Sequence, residues 1–398
     1  MEEILITGMG VISPAGCTPQ DFFRTLCAGK PVYERLEEFE QNPGYRVKIG
    51  ARVRDDRWRE ALMDGAQQRF GRAAQYAQAA ARFALWDAGL SEQDCRSRRV
   101  AVVVGTTMGE IGVEEAFTRR LCRREAEDEV RFRRQAEARH IAQAAAQAAG
   151  DTPLYYTVPA ACAAGNYAVA LAKRLIESDV ADLALAGGVD VFSRVAFAGF
   201  QRLLSLTPDL CRPFDKNRRG LVVGEGCGMV VLEKKGTRRG MRRYGAVLGT
   251  GLASNASHMT APHPNGGGEL TAMRLAIEDA RRPLEAIDCI SAHGTGTRAN
   301  DRIEAKAIAS LFGEKAPPVS AVKSVLGHSM GAASALELIA CCLMMQHSLL
   351  PPTANLEQLD EECNLDVVPN QARPARVNTV LSNSFAFGGQ TSSVLVGR

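Results

Sequence analysis

The chain has 398 residues, 46% of them apolar, which is ample for a core and long enough for two domains or one large, internally divided α/β unit. A net charge of +3 gives no nucleic-acid signature. Eleven cysteines at irregular spacings, with no CxxC pair and no zinc-like Cys/His cluster, are neither a disulfide framework nor a metal site, and a reducing cytoplasm is the simpler home.

The acidic start, Met1-Glu2-Glu3, runs straight into a strand, Ile4 to Gly8, so no signal peptide is expected. Gly8-Met9-Gly10 lacks the third glycine and the following helix of a dinucleotide fingerprint, and Pro14 stands against an early helix. Thr18 to Leu26 reads as a helix capped near Gly29. A loop-rich stretch follows to about residue 65. Arg72 to Leu85 is an alanine-rich helix closed by Gly89, and Arg99 to Gly105 is a continuously apolar strand suited to a parallel sheet. Residues 109–150 look helical and carry Arg119, Arg120, Arg123, Arg124, Arg131, Arg133, Arg134 and Arg139 among glutamates and Asp128. The plain expectation is a solvated face laced with i,i+4 pairs; the sharper one is docking of an acidic partner.

Near the middle, Leu154 to Val158 reads as a strand and Tyr167 to Ile176 as a helix, with Val158-Pro-Ala-Ala-Cys162-Ala-Ala-Gly-Asn166 turning between them. Most cysteines are buried small hydrophobes. This one sits at a helix N-terminus, where unpaired N–H groups favour an anion, so a lowered thiol pKa is expected, with backbone amides available to a developing oxyanion. Asp182 to Val189 is another buried strand. Residues 211–233 form a Gly-rich turn feeding a strand, without the Lys-Ser/Thr of a phosphate loop. Lys234 to Arg243, basic and almost free of apolar residues, is the candidate linker, dividing the chain into 1–240 and 241–398.

The second half alternates again. Ala246 to Leu252 is a strand, and a loop through His258 and His263 leads to a helix near Glu269. Ile287 to Ser291 is a strand ending in His293-Gly-Thr-Gly-Thr297, and Asp301 to Phe312 a helix. Pro318 to Val322 is a strand ending in Lys323-Ser-Val-Leu-Gly-His328, followed by an apolar helix from about Gly331 to Gln346. Two strands, Thr379 to Ser382 and Ser393 to Val396, flank Asn383-Ser-Phe-Ala-Phe-Gly-Gly389. The longest apolar run in this half, Leu338 to Met345, is too short to span a bilayer. Strands alternating with helices argue for α/β layers, and polar residues gather where strands end, as open α/β sheets build their sites. A lone histidine is usually structural. Two in Gly/Ser/Thr runs at strand ends, with a turn cysteine, suit acyl transfer followed by carbanion chemistry, and no His spacing indicates a metal.

Cys162 in its small-residue turn, His293-Gly-Thr-Gly-Thr, Lys323-Ser-Val-Leu-Gly-His328, Arg212-Pro-Phe-Asp215 with Gly-Glu-Gly, and Asn383-Ser-Phe-Ala-Phe-Gly-Gly together resemble the β-ketoacyl synthases, nearest to β-ketoacyl-acyl carrier protein synthase II and related polyketide ketosynthases. The motifs fall in family order from Ile6-Thr-Gly-Met-Gly to the last strand. The resemblance implies a thiolase-like fold, two related halves in a five-layer αβαβα sandwich. It implies decarboxylative Claisen condensation of a Cys162-bound acyl chain with a malonyl-type extender. No cofactor is expected beyond the phosphopantetheine of the acyl carrier protein. By the same resemblance His293 and His328 serve decarboxylation and enolate stabilisation, and the amides of Cys162 and Phe387 hold the oxyanion. Phe387 and Gly388 form the gate. Lys323 is placed in the catalytic set, and with Glu337 it supports the histidine geometry. Asp301, Glu304, Thr295 and Thr297 support the site, and Arg69, Arg72 and Arg202 are candidate contacts for the carrier protein. The implied partner is a second copy, or a ketosynthase-like subunit in a heterodimer.

Five departures from the family pattern stand out, one of them the arginine-rich 119–139 segment in place of the usual stretch before the cysteine turn. The cysteine turn continues Ala-Ala-Gly-Asn-Tyr, Ala386 replaces a glycine, Gln390 a threonine, and Arg219-Gly-Leu stands for Arg-Asp-Gly-Phe. The Ala386 methyl is expected to stiffen the gate glycines or narrow the entrance. These changes favour a specialised polyketide-type enzyme over a housekeeping fatty-acid one. A non-elongating acyltransferase or decarboxylase on the same scaffold, and a non-catalytic heterodimer subunit, are the competing readings.

Overall fold

A computed structural model describes residues 3–125, 129–150, 153–238 and 240–398. Met1, Glu2, Asp128 and the Arg131 side chain lie outside the described residues. The first half runs β1 (Ile4–Ile12), α1 (Arg72–Asp87), β2 (Val100–Thr106), α2 (Arg139–Gln147), β3 (Leu154–Pro159), α3 (Ala164–Glu177), β4 (Leu183–Asp190) and β5 (Gly226–Lys234). The second runs β6 (Gly245–Ser254), α4 (Gly267–Ala280), β7 (Cys289–Ser291), α5 (Arg298–Phe312), β8 (Val319–Ser320), α6 (Ala333–His347), β9 (Thr379–Phe385) and β10 (Gln390–Gly397).

The ten strands form one sheet in the order β3-β2-β4-β5-β1-β6-β10-β9-β7-β8. From its outer edge inward, each half repeats one order: its third, second, fourth, fifth and first strand. In each, the outer three strands are parallel and the fifth is antiparallel to both neighbours. The halves join through the short β1–β6 pairing, Leu5 opposite Ala246 and Ile6 opposite Gly245. Helices α3 and α6 lie between the halves and touch strands of both; α1 and α2 cover the first half's other face, and α4 with α5 the second's. This is the two-halved, five-layered sandwich the family resemblance implies.

Among the described residues the apolar side chains form four clusters. The central one holds Val169, Ile176, Leu338 and Ile339 against Val230, Leu232, Val394 and Val396. The helix window Met330–His347 is long and apolar enough to cross a membrane, yet 89% of it is buried in this layer. Its neutrality all round is that of a core helix.

Gly8 and Gly10, suggestive of a nucleotide loop in sequence, are strand residues. A Cβ on them would come within 2.1 Å of the Ala84 carbonyl oxygen and 1.9 Å of that of Ala80. The glycines let the alanine-rich α1 lie directly on β1, which therefore runs to Ile12 rather than stopping at Gly8. Helix Pro19–Ala28 is capped as expected, Thr18 accepting from the Asp21 N–H and Gly29 adopting φ 64°. Helix Arg194–Arg202, capped by Ser193, was not expected, because Gly199 and mixed polarity blur its period. Lys323 begins a short helix, Lys323–Leu326, rather than ending a strand. In the arginine-rich stretch, helices Ile111–Cys122 and Glu129–Ala136 hold, among the described residues, one i,i+4 pair, Arg133–Glu129 at 2.6 Å. Among the described residues the expected lacing of the face is sparse.

Candidate active site

The chain leaves β3 at Pro159 and enters α3 through a single 3₁₀ turn, Ala161–Ala163. Ala161 sits at φ 44°, a left-handed conformation costly for a residue with a side chain. That sharp turn sets Cys162 at the foot of α3, 6% exposed. The second half repeats the device. Met330, at φ 50°, opens the 3₁₀ turn Met330–Ala332 ahead of α6, and the two turns pack together. In this internal symmetry Gly331 stands where Cys162 stands in the first half.

Cys162, His293, His328, Thr295, Thr297, Phe385, Ala386 and Phe387 line one cavity of about 130 Å³. Sequence-distant motifs are thus brought together as anticipated. His293 follows β7 and its backbone is held by Glu304, which accepts from the N–H groups of His293 and Gly294, both at 2.8 Å. Asp301 accepts from Phe214 and Gly296 and faces Arg218 at 3.6 Å, which fastens the Arg212-Pro-Phe-Asp215 loop to the His293 loop. Thr295 and Thr297 share a hydroxyl hydrogen bond of 2.9 Å.

Lys323 is 2% exposed. Its Nζ donates to the His293 carbonyl at 2.7 Å, pairs with Glu337, and lies 3.2 Å from His293 Nδ1. In His328, Nδ1 accepts the Met330 N–H at 3.2 Å. A ring nitrogen that accepts must be bare, so the proton of each neutral ring resides on Nε2. The rings meet edge-to-face at 5.4 Å. Burial, and then the Lys323 charge, hold both imidazoles well below the ordinary histidine range, so both are neutral at neutral pH. Burial likewise raises Glu304 and Glu337 to about 7, and raises Asp301.

The thiol corrects the sequence expectation. Burial pushes Cys162 up to about 12, and the Asp190 carboxylate adds to the rise, against the lowering by Lys323 and by the amides of Cys162 and Phe387. The helix end is present, but desolvation outweighs it. Those two amides nonetheless act on the sulfur, which leaves them beside the oxygen of any acyl group that it carries.

At the mouth, Phe387 packs against Phe200 with ring centroids 5.7 Å apart. Gly388 donates its N–H to the Met259 carbonyl at 2.7 Å, and Asn255 donates to Gly389 at 2.8 Å, so the gate is tied to the loop after β6. Ala386 has φ −125° and ψ 154°, extended backbone that any residue adopts. Its methyl therefore narrows the cavity without stiffening the glycines, which still supply the turn. Leu221 of the Arg-Gly-Leu departure also lines the cavity.

Several residues of the site have roles that the sequence did not assign. Ser384 donates its hydroxyl to the Cys162 carbonyl at 2.9 Å. Asn383 reaches Glu304 at 3.5 Å. Asp190 and Glu225 are buried carboxylates that gather backbone N–H groups from distant loops. Asp190 offers one local hint, a polar residue closing an apolar strand, whereas Glu225, Asn383 and Ser384 fall inside the Gly-Glu-Gly and Asn383-Ser-Phe motifs. Of the docking candidates, Arg69 and Arg202 are exposed. Arg72 is half exposed and is engaged by Tyr76 at 2.6 Å and by Glu225 at 3.2 Å. Among the described residues no three His, Cys, Asp or Glu side chains form a metal cluster.

Residues 1–237 match the family described as "Beta-ketoacyl synthase, N-terminal domain", and residues 244–357 match "Beta-ketoacyl synthase, C-terminal domain". The tetracenomycin polyketide synthase ketoacyl synthase alpha subunit of Streptomyces glaucescens is 36% identical, over 100% of this chain and 97% of that one. The 3-oxoacyl-[acyl-carrier-protein] synthase 2 of Coxiella burnetii is 34% identical, over 100% and 98%. A solved structure, the ishigamide ketosynthase/chain length factor, superposes with a TM-score of 0.95 at 41% identity, covering 100% of this chain and 99% of that one.

Proposed function

The chain belongs to the β-ketoacyl synthase family and is a condensing enzyme, and we propose that it extends acyl chains carried by an acyl carrier protein in a polyketide-type pathway, with Cys162 as nucleophile. What carries the reading is the cavity that holds one thiol and two neutral imidazoles whose Nδ1 atoms are already engaged. Both rings then offer Nε2–H, and two such donors suit an enolate oxygen.

Acyl loading exchanges one thioester for another. The Cys162 sulfur forms a bond to the acyl carbon, the bond to the carrier thiol breaks, and the proton passes from one sulfur to the other. No net charge is created, so a thiol of high pKa is compatible with the step. The Cys162 and Phe387 amides would hold the transient oxyanion. Next, a malonyl thioester loses carbon dioxide, and its electron pair forms an enolate hydrogen-bonded by His293 and His328. The enolate carbon attacks the Cys162 thioester, the Cys162 sulfur leaves as thiolate, and it recovers a proton from solvent. Lys323 and Glu337 fix His293; Asp301 and Glu304 fix its loop; Thr295 and Thr297 would face the phosphopantetheine arm.

The partner reading is supported by the sheet edge. β3 pairs with β2 alone, and Leu154, Tyr155 and Tyr156 are 45%, 44% and 40% exposed. An open apolar strand is a template for another chain. We place a second ketosynthase-like subunit there, a copy of this chain or a chain-length-determining relative, and the carrier protein near Arg69 and Arg202. The cytoplasm, with its free thiols, is the proposed compartment.

The test is intact-protein mass spectrometry with acyl-carrier thioesters followed by malonyl-carrier protein. An adduct on Cys162 that is consumed into an extended β-keto product is expected. Cys162→Ala should abolish loading and leave malonyl decarboxylation measurable. An adduct that persists without elongation would make the protein an acyltransferase, and loading that survives the substitution would remove Cys162 as nucleophile.

A further inference from the structure

Asp190 closes β4 and is fully buried. Its Oδ1 accepts from the Thr106 hydroxyl and the Met108 N–H, both at 2.9 Å; its Oδ2 accepts from the Thr107 N–H at 2.8 Å and the Gly331 N–H at 2.7 Å. None of the ion pairs among the described residues involves it. Three donors belong to the end of β2 and the loop after it in the first half. The fourth belongs to the turn before α6 in the second, so one carboxylate ties the two halves together beside the cysteine. Four donors converging on a buried carboxylate make a strong, geometrically specific joint.

The joint acts on a histidine. Gly331 follows Met330, whose own N–H occupies His328 Nδ1. Met330 holds a left-handed φ of 50°, a strained conformation that persists only where its surroundings enforce it. The grip of Asp190 on the next N–H is such an enforcement. A Cβ at Gly331 would lie 2.7 Å from Asp190 Oδ2 and 2.8 Å from the Thr107 nitrogen, so the turn is pressed against the carboxylate with no room for a side chain. Cys162 is held by a different set, its own turn and Ser384 on its carbonyl, and takes from Asp190 a charge that raises the thiol rather than a hydrogen bond.

We infer that Asp190 is a positioning residue for His328, holding the Met330–Gly331 turn so that the imidazole presents Nε2–H to the cavity. The consequence, which rests on the condensing reading above, is a split between half-reactions. Decarboxylation uses His328 and should need Asp190; acyl loading uses the cysteine turn and should not.

Wild-type enzyme, Asp190→Asn and Gly331→Ala are compared in three measurements. These are acyl loading by intact mass, carbon dioxide release from malonyl-carrier protein, and nitrogen-15 shifts of the histidine rings. In the variants carbon dioxide release should fall about tenfold or more, a part of what a placed acid–base group contributes. Loading should hold near wild type in Gly331→Ala, which keeps the carboxylate, and should not fall in Asp190→Asn, where the charge that raises the Cys162 thiol is lost, since thioester exchange does not use His328. The His328 shifts should pass from a single Nε2–H tautomer to a mixture. Thermal melts identify variants that fold. Equal loss of both half-reactions in a folded variant, or loss of neither, overturns the inference. If neither variant folds, the wild-type spectrum decides, because a His328 protonated on Nδ1 overturns it and an Nε2–H ring sustains it. If wild-type enzyme neither loads nor decarboxylates, the condensing reading fails, and the tautomer spectra still judge Asp190.

Discussion

Between pH 6 and 9 the rate at which iodoacetamide alkylates Cys162 should climb about tenfold per pH unit without a plateau, as for any thiol well below its pKa. Burial moves this thiol from an ordinary 9.0 to about 12, and each unit is worth about 1.4 kcal/mol, so roughly 4 kcal/mol favours the protonated sulfur over that of an exposed cysteine. At pH 8 an exposed thiol is then about one-tenth thiolate, and Cys162 on the order of one part in ten thousand. A more basic thiolate is intrinsically a better nucleophile, by about 0.4–0.5 log units per pKa unit, which recovers a little over one log. The net deficit is about fiftyfold.

Cys122 is exposed and serves as the reference inside the same molecule. Peptide mass spectrometry of a time course at each pH gives the rate ratio directly, and restricted access shifts the Cys162 line down without changing its slope. A plateau below pH 8, or a Cys162 that outpaces Cys122 at neutral pH, would refute the reasoning. The helix end, Lys323 and the two amides would then outweigh desolvation.

Lys323→Met should destabilise the fold by about 3–5 kcal/mol, because Glu337 is left buried and unpaired. The double variant Lys323→Met/Glu337→Leu should recover most of that in urea titrations, without recovering activity. Alkaline pH should unfold the protein early: ten thiols are raised by burial. Above about pH 9 the unfolded chain sheds those protons while the native chain keeps them, so stability falls as pH rises. Urea titrations followed by circular dichroism should therefore give a lower midpoint at pH 10 than at pH 8, and a midpoint that does not fall would contradict the burial of these thiols. At the β3 edge, Tyr156→Lys should lower the sedimentation-derived mass toward that of a single subunit, as charge on an exposed strand edge opposes pairing.

Strand and helix periods were readable wherever burial was one-sided or complete, as in β2 and α1. The cysteine and both histidines stood out because small, flexible residues surround them at strand ends. Gly8 and Gly10 show the limit. Their signal was real but belonged to packing, and only the carbonyls of Ala80 and Ala84 reveal which. The same limit hid the partners of Arg218, Ser384 and Glu225, which lie far along the chain. The thiol pKa failed for another reason. A sequence displays the helix that would stabilise a thiolate, but not the layers on either side that remove water from it.

The internal symmetry suggests why the site is built as it is. Both halves make the same strand, strained 3₁₀ turn and central helix, and the two turns pack back to back. One turn carries the nucleophile and the other carries glycine at the matching place, so room for two side chains is given to one. Space opened by that asymmetry is taken by Asp190 and the loop after β2. A sulfur at position 331 would meet the carboxylate and the Thr107 amide, whereas Cys162 meets a cavity with two imidazoles. Identical backbone turns thus acquire opposite roles through the residues pressed against them, and the half that lacks the thiol contributes both histidines.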